Sequence, residues 1–278
     1  MSTQRESRAV SLDPTPHTRQ SLAQGLREGG VRAGELLLVH TSMSAIGWVC
    51  GGEVALIQAL LDALGPEGTL VVPTHTSGNS EPSRWQYPPV PEAWWPAIRA
   101  HMPAFDPAIT PTRGMGRVPE LLRAWPGARR SQHPSVSFAA LGPLAAAITD
   151  DHALAFGLGD RSPLARIYDL DGRVLLLGVD FDRNTSFHLA EHRAASAPPI
   201  TEGGAALDEE GRRAWRTWPD LDVDAGAFVQ IGRDLEAAGH VHAFTLGAAP
   251  CRLFHQPTAV DFATAALSRP LEVKGSPA

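Results

Sequence analysis

The hydrophobic pattern in the first third of the chain alternates between buried strands and amphipathic helices. It predicts a helix over 18–28, a strand over 35–40, a helix over 53–64 and a strand over 69–72. The strands are short and continuously apolar, as is typical of strands covered on both faces. A strand, helix, strand unit predicts parallel neighbouring strands joined by a right-handed crossover. We therefore expect an α/β fold, a three-layer α/β/α domain with a largely parallel or mixed central sheet.

Regular periodicity is lost over 74–116, which is rich in proline and contains Trp85, Trp94 and Trp95. A long irregular stretch inside a compact fold usually has a function, so we expect 74–116 to cover the site. The pattern then predicts helices over 117–125, 143–151, 163–168, 224–238 and 257–267, and strands over 136–141, 173–179 and 242–246. We expect one domain over 1–278, with a flexible segment at 1–17.

The stretch over 171–194, DGRVLLLGVDFDRNTSFHLAEHRA, joins an apolar strand to a helix through a polar turn. Asn184, Thr185 and Ser186 can cap that helix, which places His188 one turn inside it. Ligands collect at the carboxyl ends of buried strands in such sheets. His188 could act there as a base, bind a metal or fill space in the core.

Composition limits the possible functions. The 278 residues are 43% hydrophobic and carry a net charge of −6, so the chain can bury a sizeable core and has no basic patch for nucleic acid or anionic membranes. The only cysteines, Cys50 and Cys251, lie far apart, which argues against a disulfide framework. No apolar stretch resembles a signal peptide or a membrane span. We expect a cytoplasmic protein that acts on a small molecule.

Two loops could bind an anion. The turn over 40–47, HTSMSAIG, supplies hydroxyls and backbone amides before a helix, although it matches neither a Walker loop nor a GxGxxG motif. The loop from Arg113 to Arg117 is a second candidate site for an anion. An ordinary turn rich in small residues remains the alternative for the first loop, and a solvated turn is the better interpretation of the second.

Two acidic motifs suggest further chemistry. HLAEH over 188–192 matches the HxxEH signature of inverted zinc peptidases, in which both histidines bind the metal and the glutamate activates water. Asp220 and Asp222 occupy alternate positions, so in an extended strand both carboxylates point the same way. They could orient an imidazole, hold an ammonium group or lie in a solvated turn.

Several segments together resemble the antibiotic acetyltransferase family that includes the aminoglycoside 3-N-acetyltransferases. In chain order they are LLVHTSMSAIGWVCGG, LGPEGTLVVPT, DPAITPTRGMGRVPELLRAWPGARRSQHPSVSFAALGP, SPLARIYDLDGRVLLLGV and NTSFHLAEHRA. They cover most of 36–194, and the last 80 or so residues resemble the family mainly at the acidic pair and the following helix.

The resemblance implies acetyl-CoA as donor, a cationic amine as acceptor, here the 3-amino group of an aminoglycoside, and no metal. It implies that His188 is the general base, with Asp222 as its acidic partner and Asp220 as the second choice. We expect Glu191, Asp106 and Trp85 to contact the acceptor. The expected acetyl-CoA contacts are His40, Thr41, Ser42, Met43, Ser44, Ile46, Gly47, Thr74, Arg113, Gly114 and Met115.

Three alternatives stay open at this point. Another amine could be the acceptor, since the family also acylates amines other than aminoglycosides. HLAEH could serve a zinc peptidase, and the chain could bind CoA without catalysis. We expect a monomer or a homodimer.

Overall fold

The computed structural model describes residues 7, 9–11 and 15–268, so the flexible segment expected at 1–17 lies largely outside the described residues. The strands are β1 (Leu36–Thr41), β2 (Thr69–Pro73), β3 (Arg129–Arg130), β4 (Phe138–Leu141), β5 (Arg173–Leu177), β6 (Pro199–Leu207), β7 (Arg213–Leu221), β8 (Val241–Leu246) and β9 (Ala249–His255). The helices are α1 (Arg19–Glu28), α2 (Met43–Ile46), α3 (Gly52–Leu64), α4 (Trp95–His101), α5 (Arg117–Leu122), α6 (Ala145–Thr149), α7 (Pro163–Asp169), α8 (Ser186–Ala194), α9 (Phe228–Ala237) and α10 (Gln256–Leu267).

A mixed seven-stranded sheet forms the middle layer of the described chain. Its strand order is β3-β4-β2-β1-β5-β9-β8. β1 lies between β2 and β5 and is parallel to both, as the sequence predicts, while β4 and β9 run antiparallel to their neighbours β2 and β5. The carboxyl ends of β2, β1 and β5 therefore meet at one edge.

Alternate residues of the central strands pack into two separate cores. Leu37 and Val39 of β1 face the layer that contains α1 and α3. Leu36 and Leu38 face the opposite layer, which contains α7, α8, α9 and α10. Because side chains alternate along a strand and both faces are covered, the strand has to be apolar at every position. This arrangement confirms the predicted three-layer α/β/α fold.

The sequence pattern missed two features of the last third. β9 was not predicted, and it is the strand that links β5 to β8. β6 and β7 form a separate two-stranded antiparallel hairpin, in register from Pro199 with Leu221 to Leu207 with Arg213. Gly203 and Gly204 weaken the strand signal of β6, and exposed positions along β7 leave it without a continuous apolar run.

The irregular stretch over 74–116 contains little regular structure. It holds α4 and two short 3₁₀ turns, Pro82–Arg84 and Glu92–Trp94. Arg130 fastens it to the sheet, because its guanidinium donates to the carbonyl oxygens of Thr74, Pro107 and Thr110. In the part of the chain that is described, no helix combines the length and the apolar character that crossing a bilayer requires.

Candidate active site

A cavity of about 790 Å³ opens at the edge where β2, β1 and β5 end. His40 and Thr41 reach it from the end of β1, and His75 from just beyond β2. The connection after β5 supplies the opposite wall. The lining residues are Val39, His40, Thr41, Ser42, Pro73, His75, Gly114, Met115, Gly116, Pro119, Leu158, Val179, Asp182, Arg183, Thr185 and His188.

His188 is held by a carboxylate on its own helix. Its Nδ1 lies 2.6 Å from Oε2 of Glu191, which is three residues further along α8 and therefore on the same face. Glu191 is buried, and its Oε1 accepts a hydrogen bond of 3.1 Å from the backbone N–H of Asp224. The His188 ring also packs against Phe228, with 4.9 Å between the ring centroids. Packing and hydrogen bonding together fix the orientation of the imidazole.

The contact with Glu191 determines which nitrogen of His188 can take up a proton. An ionised carboxylate only accepts hydrogen bonds, so Nδ1 has to be the protonated nitrogen. Nε2 of the neutral ring then carries the free lone pair. A carboxylate in this position also stabilises the imidazolium once Nε2 has been protonated.

Three other imidazoles around His188 are held neutral. Burial lowers the pKa of His40 and of His75 to about 3, and repulsion from a positive charge on His188 is the second cause. The same two causes lower the pKa of His192 to about 4. Nε2 of His40 lies 3.3 Å from Oγ1 of Thr185. Of these four rings, His188 alone has a carboxylate within hydrogen-bond distance.

A second cavity, of about 220 Å³, adjoins the first, since His75 and Leu158 line both. Three carboxylates line it, those of Glu202, Asp220 and Asp222. Burial raises the pKa of both Glu202 and Asp220. The other lining residues are His75, Ser77, Ser80, Arg84, Ser135, Val136, Leu158, His192, Ile200, Leu221 and Val223.

The structure does not place the acidic pair in contact with His188, where we expected Asp222 or Asp220 to lie. Asp222 lies just past the end of β7 and forms an ion pair with Arg84, not with His188. Asp220 lies nearer His192, with 3.7 Å between its Oδ1 and Nε2 of that ring. Glu191 occupies the place beside His188 because helical spacing brings it there without any long-range alignment.

The expected acetyl-CoA residues divide into two groups. His40, Thr41, Ser42, Gly114 and Met115 line the larger cavity. The others do not line it: Ile46 is buried in the core, and Thr74 is buried with its hydroxyl 3.1 Å from that of Ser137. The remaining residues outside the lining are Met43, Ser44, Gly47 and Arg113.

None of the three expected acceptor residues lines either cavity. The indole N–H of Trp85 donates to Oγ of Ser80. The carboxylate of Asp106 accepts from the backbone N–H of Ala108 inside its own loop. The third, Glu191, contacts His188 as described above.

The sequence reasoning missed Arg84, Glu202, His75 and Arg183. His75 follows a buried strand directly, and Arg183 lies in the polar turn after β5, so the rule that ligands collect at strand ends could have found both. Glu202 carried no local signal because it belongs to the unpredicted hairpin. Arg84 reaches the second cavity only through the course of the irregular stretch.

Metal ligands do not converge in this region. Within residues 15–268 and the few described residues before them, no group of three or more histidine, cysteine, aspartate or glutamate side chains is arranged to hold a metal ion. In the HLAEH segment, Glu191 binds Nδ1 of His188. The geometry is that of a histidine and its orienting carboxylate.

Comparison with known proteins assigns the family. The model of a family described as aminoglycoside 3-N-acetyltransferase matches residues 38–268. The SPbeta prophage-derived aminoglycoside N(3')-acetyltransferase-like protein YokD of Bacillus subtilis (strain 168) is 45% identical over 89% of this chain and 91% of YokD. Aminoglycoside N(3)-acetyltransferase VIII of Streptomyces fradiae is 41% identical over 89% of this chain and 90% of that protein.

Solved structures agree with the sequence matches. The crystal structure of YokD superposes with a TM-score of 0.93, at 42% identity, over 97% of this chain and all of that one. AAC-IIIb in a binary complex with CoASH has a TM-score of 0.81 at 32% identity, over 91% and 97% of the two chains. AAC-VIa bound to sisomicin has the same TM-score and identity, over 91% and 98%. The chain therefore belongs to the aminoglycoside 3-N-acetyltransferase family of enzymes.

Proposed function

We propose that this chain transfers the acetyl group of acetyl-CoA directly to an amine of an aminoglycoside, the 3-amino group of its 2-deoxystreptamine ring. The observation that carries the proposal is the contact of Glu191 with His188, whose imidazole lines the larger cavity. A relative with CoASH bound and another with sisomicin bound support the choice of the two substrates.

The residues of the larger cavity fit a CoA thioester. Gly114 and Gly116 have φ values of 75° and 88°, which favour glycine, and both line the cavity, where no side chain of their own fills the space. Arg183 adds a cationic side chain to the same wall, with its Nε 3.1 Å from Oδ2 of Asp182, and would stabilise a phosphate group on leaving that carboxylate. When bound, acetyl-CoA supplies the acetyl group as a thioester.

In this proposal His188 first accepts a proton and then donates it. An amine with a pKa above neutrality is mostly ammonium near pH 7, so it must lose a proton before or during its attack on the thioester carbonyl. The amine releases that proton to solvent, Nε2 of His188 accepts the second proton that the attacking nitrogen loses as the C–N bond forms, and Glu191 stabilises the imidazolium. The C–S bond then breaks, and His188 returns the proton to the leaving thiolate. General-base help of this kind contributes roughly 10² to 10⁴-fold in rate.

The second cavity suits the rest of the acceptor. Glu202, Asp220 and Asp222 present carboxylates beside the wall that it shares with the larger cavity. Ammonium groups of an aminoglycoside would be attracted to them. We therefore propose that Asp220 and Asp222 bind the acceptor and that Glu191 orients the base.

Release of free CoA from acetyl-CoA, measured with sisomicin as acceptor, tests the proposal. We expect His188→Ala to reduce kcat at least about 100-fold, because it removes the proton acceptor. Glu191→Gln should reduce kcat about tenfold or more, because it removes the carboxylate that orients and stabilises that acceptor. His255→Ala is the matched control, since His255 pairs with Asp171 in a different cavity and should keep full activity. Near-normal turnover in His188→Ala would refute the mechanism.

The same assay separates the alternative acceptors. If simple amines are acetylated and sisomicin is not, the chain is an N-acetyltransferase for another amine. If CoA binds and no amine consumes acetyl-CoA, the catalytic proposal fails altogether.

A further inference from the structure

Arg84 forms ion pairs with two of the three carboxylates that line the second cavity. Its Nε lies 2.9 Å from Oε1 of Glu202, and its Nη2 forms a second ion pair with Asp222. The side chain of Arg84 is 31% exposed and that of Asp222 is 51% exposed, whereas that of Glu202 is 19% exposed. The guanidinium therefore neutralises two of the three carboxylates from within the protein.

This contact places a protein cation where an acceptor cation would bind. An ammonium group that enters the cavity seeks the same carboxylate oxygens as the guanidinium does. If it enters while Arg84 stays, two like charges lie within a few ångströms of each other, which is unfavourable at the low effective dielectric of a partly buried site. If Arg84 leaves, its two ion pairs are lost. Either course weakens the binding of the acceptor.

The polypeptide around Arg84 is anchored independently of its guanidinium. Asn79 donates 2.9 Å to the carbonyl oxygen of Ala205 and accepts 2.8 Å from the N–H of the same residue. Nε of Arg99 donates 3.2 Å to the carboxylate of Glu81, which caps the 3₁₀ turn that ends at Arg84. The guanidinium of Arg84 can thus leave Glu202 and Asp222 while the loop stays docked.

We propose that Arg84 is a specificity-determining residue that competes with cationic acceptor groups for Glu202 and Asp222. The proposal rests on the proposed function in that it takes the second cavity as the acceptor site. It implies that this chain disfavours acceptors with several ammonium groups compared with acceptors that have one. A single amine that reaches His188 needs no second ammonium contact and avoids the competition.

The test measures the binding of sisomicin by calorimetry with CoA present, so that its readout does not depend on acetyl transfer. We expect Arg84→Gln to bind sisomicin about tenfold more tightly than the natural chain, equivalent to about 1.4 kcal/mol. Glucosamine, which has one amine, should bind both proteins with similar Kd. The gain for sisomicin should shrink as salt is added, because it is electrostatic.

Two control variants isolate the charge of Arg84 from the order of the loop. Arg84→Lys keeps the cation and should show little or no gain. Arg99→Gln removes the neighbouring ion pair with Glu81 and should bind sisomicin as the natural chain does. An equal gain in Arg99→Gln would mean that loosening of the loop is the cause, and the proposal would be wrong.

Other outcomes are equally decisive. Unchanged or weaker binding in Arg84→Gln overturns the proposal, as does the absence of sisomicin binding to either protein. Tighter binding in Arg84→Gln without acetyl transfer by either protein supports the competition and contradicts the proposed function. The two ideas can therefore fail separately.

Discussion

Acidification should destabilise this fold at pH values well above those at which most of its carboxylates titrate. Burial lowers the pKa of five histidines, to about 3 or 4 for four of them and well below the ordinary value for the fifth. They are His40, His75, His133, His152 and His192. Each stays neutral in the folded protein while the unfolded chain binds a proton below about pH 6.5. Their contribution to stability is therefore complete above that pH and decreases as the pH falls toward the folded pKa.

The loss can be calculated for a small pH change. Between about pH 7 and pH 5.5, one such histidine costs roughly 1.3 kcal/mol, because the unfolded form gains most of a proton and the folded form almost none. Five together cost up to about 6 kcal/mol, compared with a total stability of about 5–15 kcal/mol for a typical protein. Glu202 and Asp220 have raised pKa values and oppose the loss as the pH approaches their range.

Urea denaturation followed by tryptophan fluorescence at the two pH values measures this loss directly. His133→Gln isolates one of the five contributions. In the natural chain, Nδ1 of His133 accepts from the N–H groups of Ser135 and Val136, and its Nε2 lies 3.1 Å from the carbonyl oxygen of Leu154. The amide of glutamine can make contacts of the same kind without titrating. We expect the pH-dependent loss in this variant to be smaller by roughly 1.3 kcal/mol.

Ile148→Val is the matched control, because it shortens a buried side chain of the core and removes no titratable group. It should lower stability by about 1 kcal/mol at both pH values and leave the pH-dependent loss unchanged. Equal stability of the natural chain at the two pH values would refute the reasoning. So would an unchanged loss in His133→Gln.

Three further predictions concern single positions. Gly232→Ala should lower the free energy of unfolding by about 1–3 kcal/mol in urea denaturation, because its Cβ would lie 2.0 Å from the ring of Phe181; a variant as stable as the natural chain contradicts this. Thr18→Ala should cost about 1 kcal/mol in the same assay, because Thr18 caps α1 through the N–H of Ser21, and no loss would mean that water replaces the cap. Asp222→Asn should raise KM for sisomicin more than it lowers kcat in the CoA-release assay; a loss confined to kcat would restore Asp222 as a partner of His188.

The sequence predicted the sheet well at its centre and poorly at one side. β1, β2 and β5 are covered on both faces, so each appears as an uninterrupted apolar run that is easily recognised. β9 alternates only partly, with exposed or half-buried residues at Pro250 and Arg252, and its pairing with β5 is a long-range contact. The local hydrophobic pattern does not indicate which distant strands pair.

The candidate site shows the same division between local and distant information. His188 could be found from its position after a buried strand. Glu191, the carboxylate that contacts His188, follows three residues later and could have been predicted from helical spacing. The family resemblance instead favoured Asp222, which lies beyond a stretch of variable sequence. Arg84 and Glu202 meet only because the irregular stretch over 74–116 lies against the β6–β7 hairpin, and neither segment has a periodicity that predicts this contact.

On the proposed function, the two cavities divide the electrostatic requirements of acyl transfer to an amine. A general base needs surroundings that do not compete for its proton, and the neutral rings of His40 and His75 beside His188 meet that need. A polycationic acceptor needs fixed negative charge, which would favour protonation of the attacking amine if it lay next to the nitrogen. In the proposed mechanism Asp220, and Asp222 once Arg84 has left it, attract the acceptor from the adjoining cavity, while Glu191 is the carboxylate bound to His188. On the proposed function, the carboxylates that bind the acceptor and the carboxylate that orients His188 are therefore different residues.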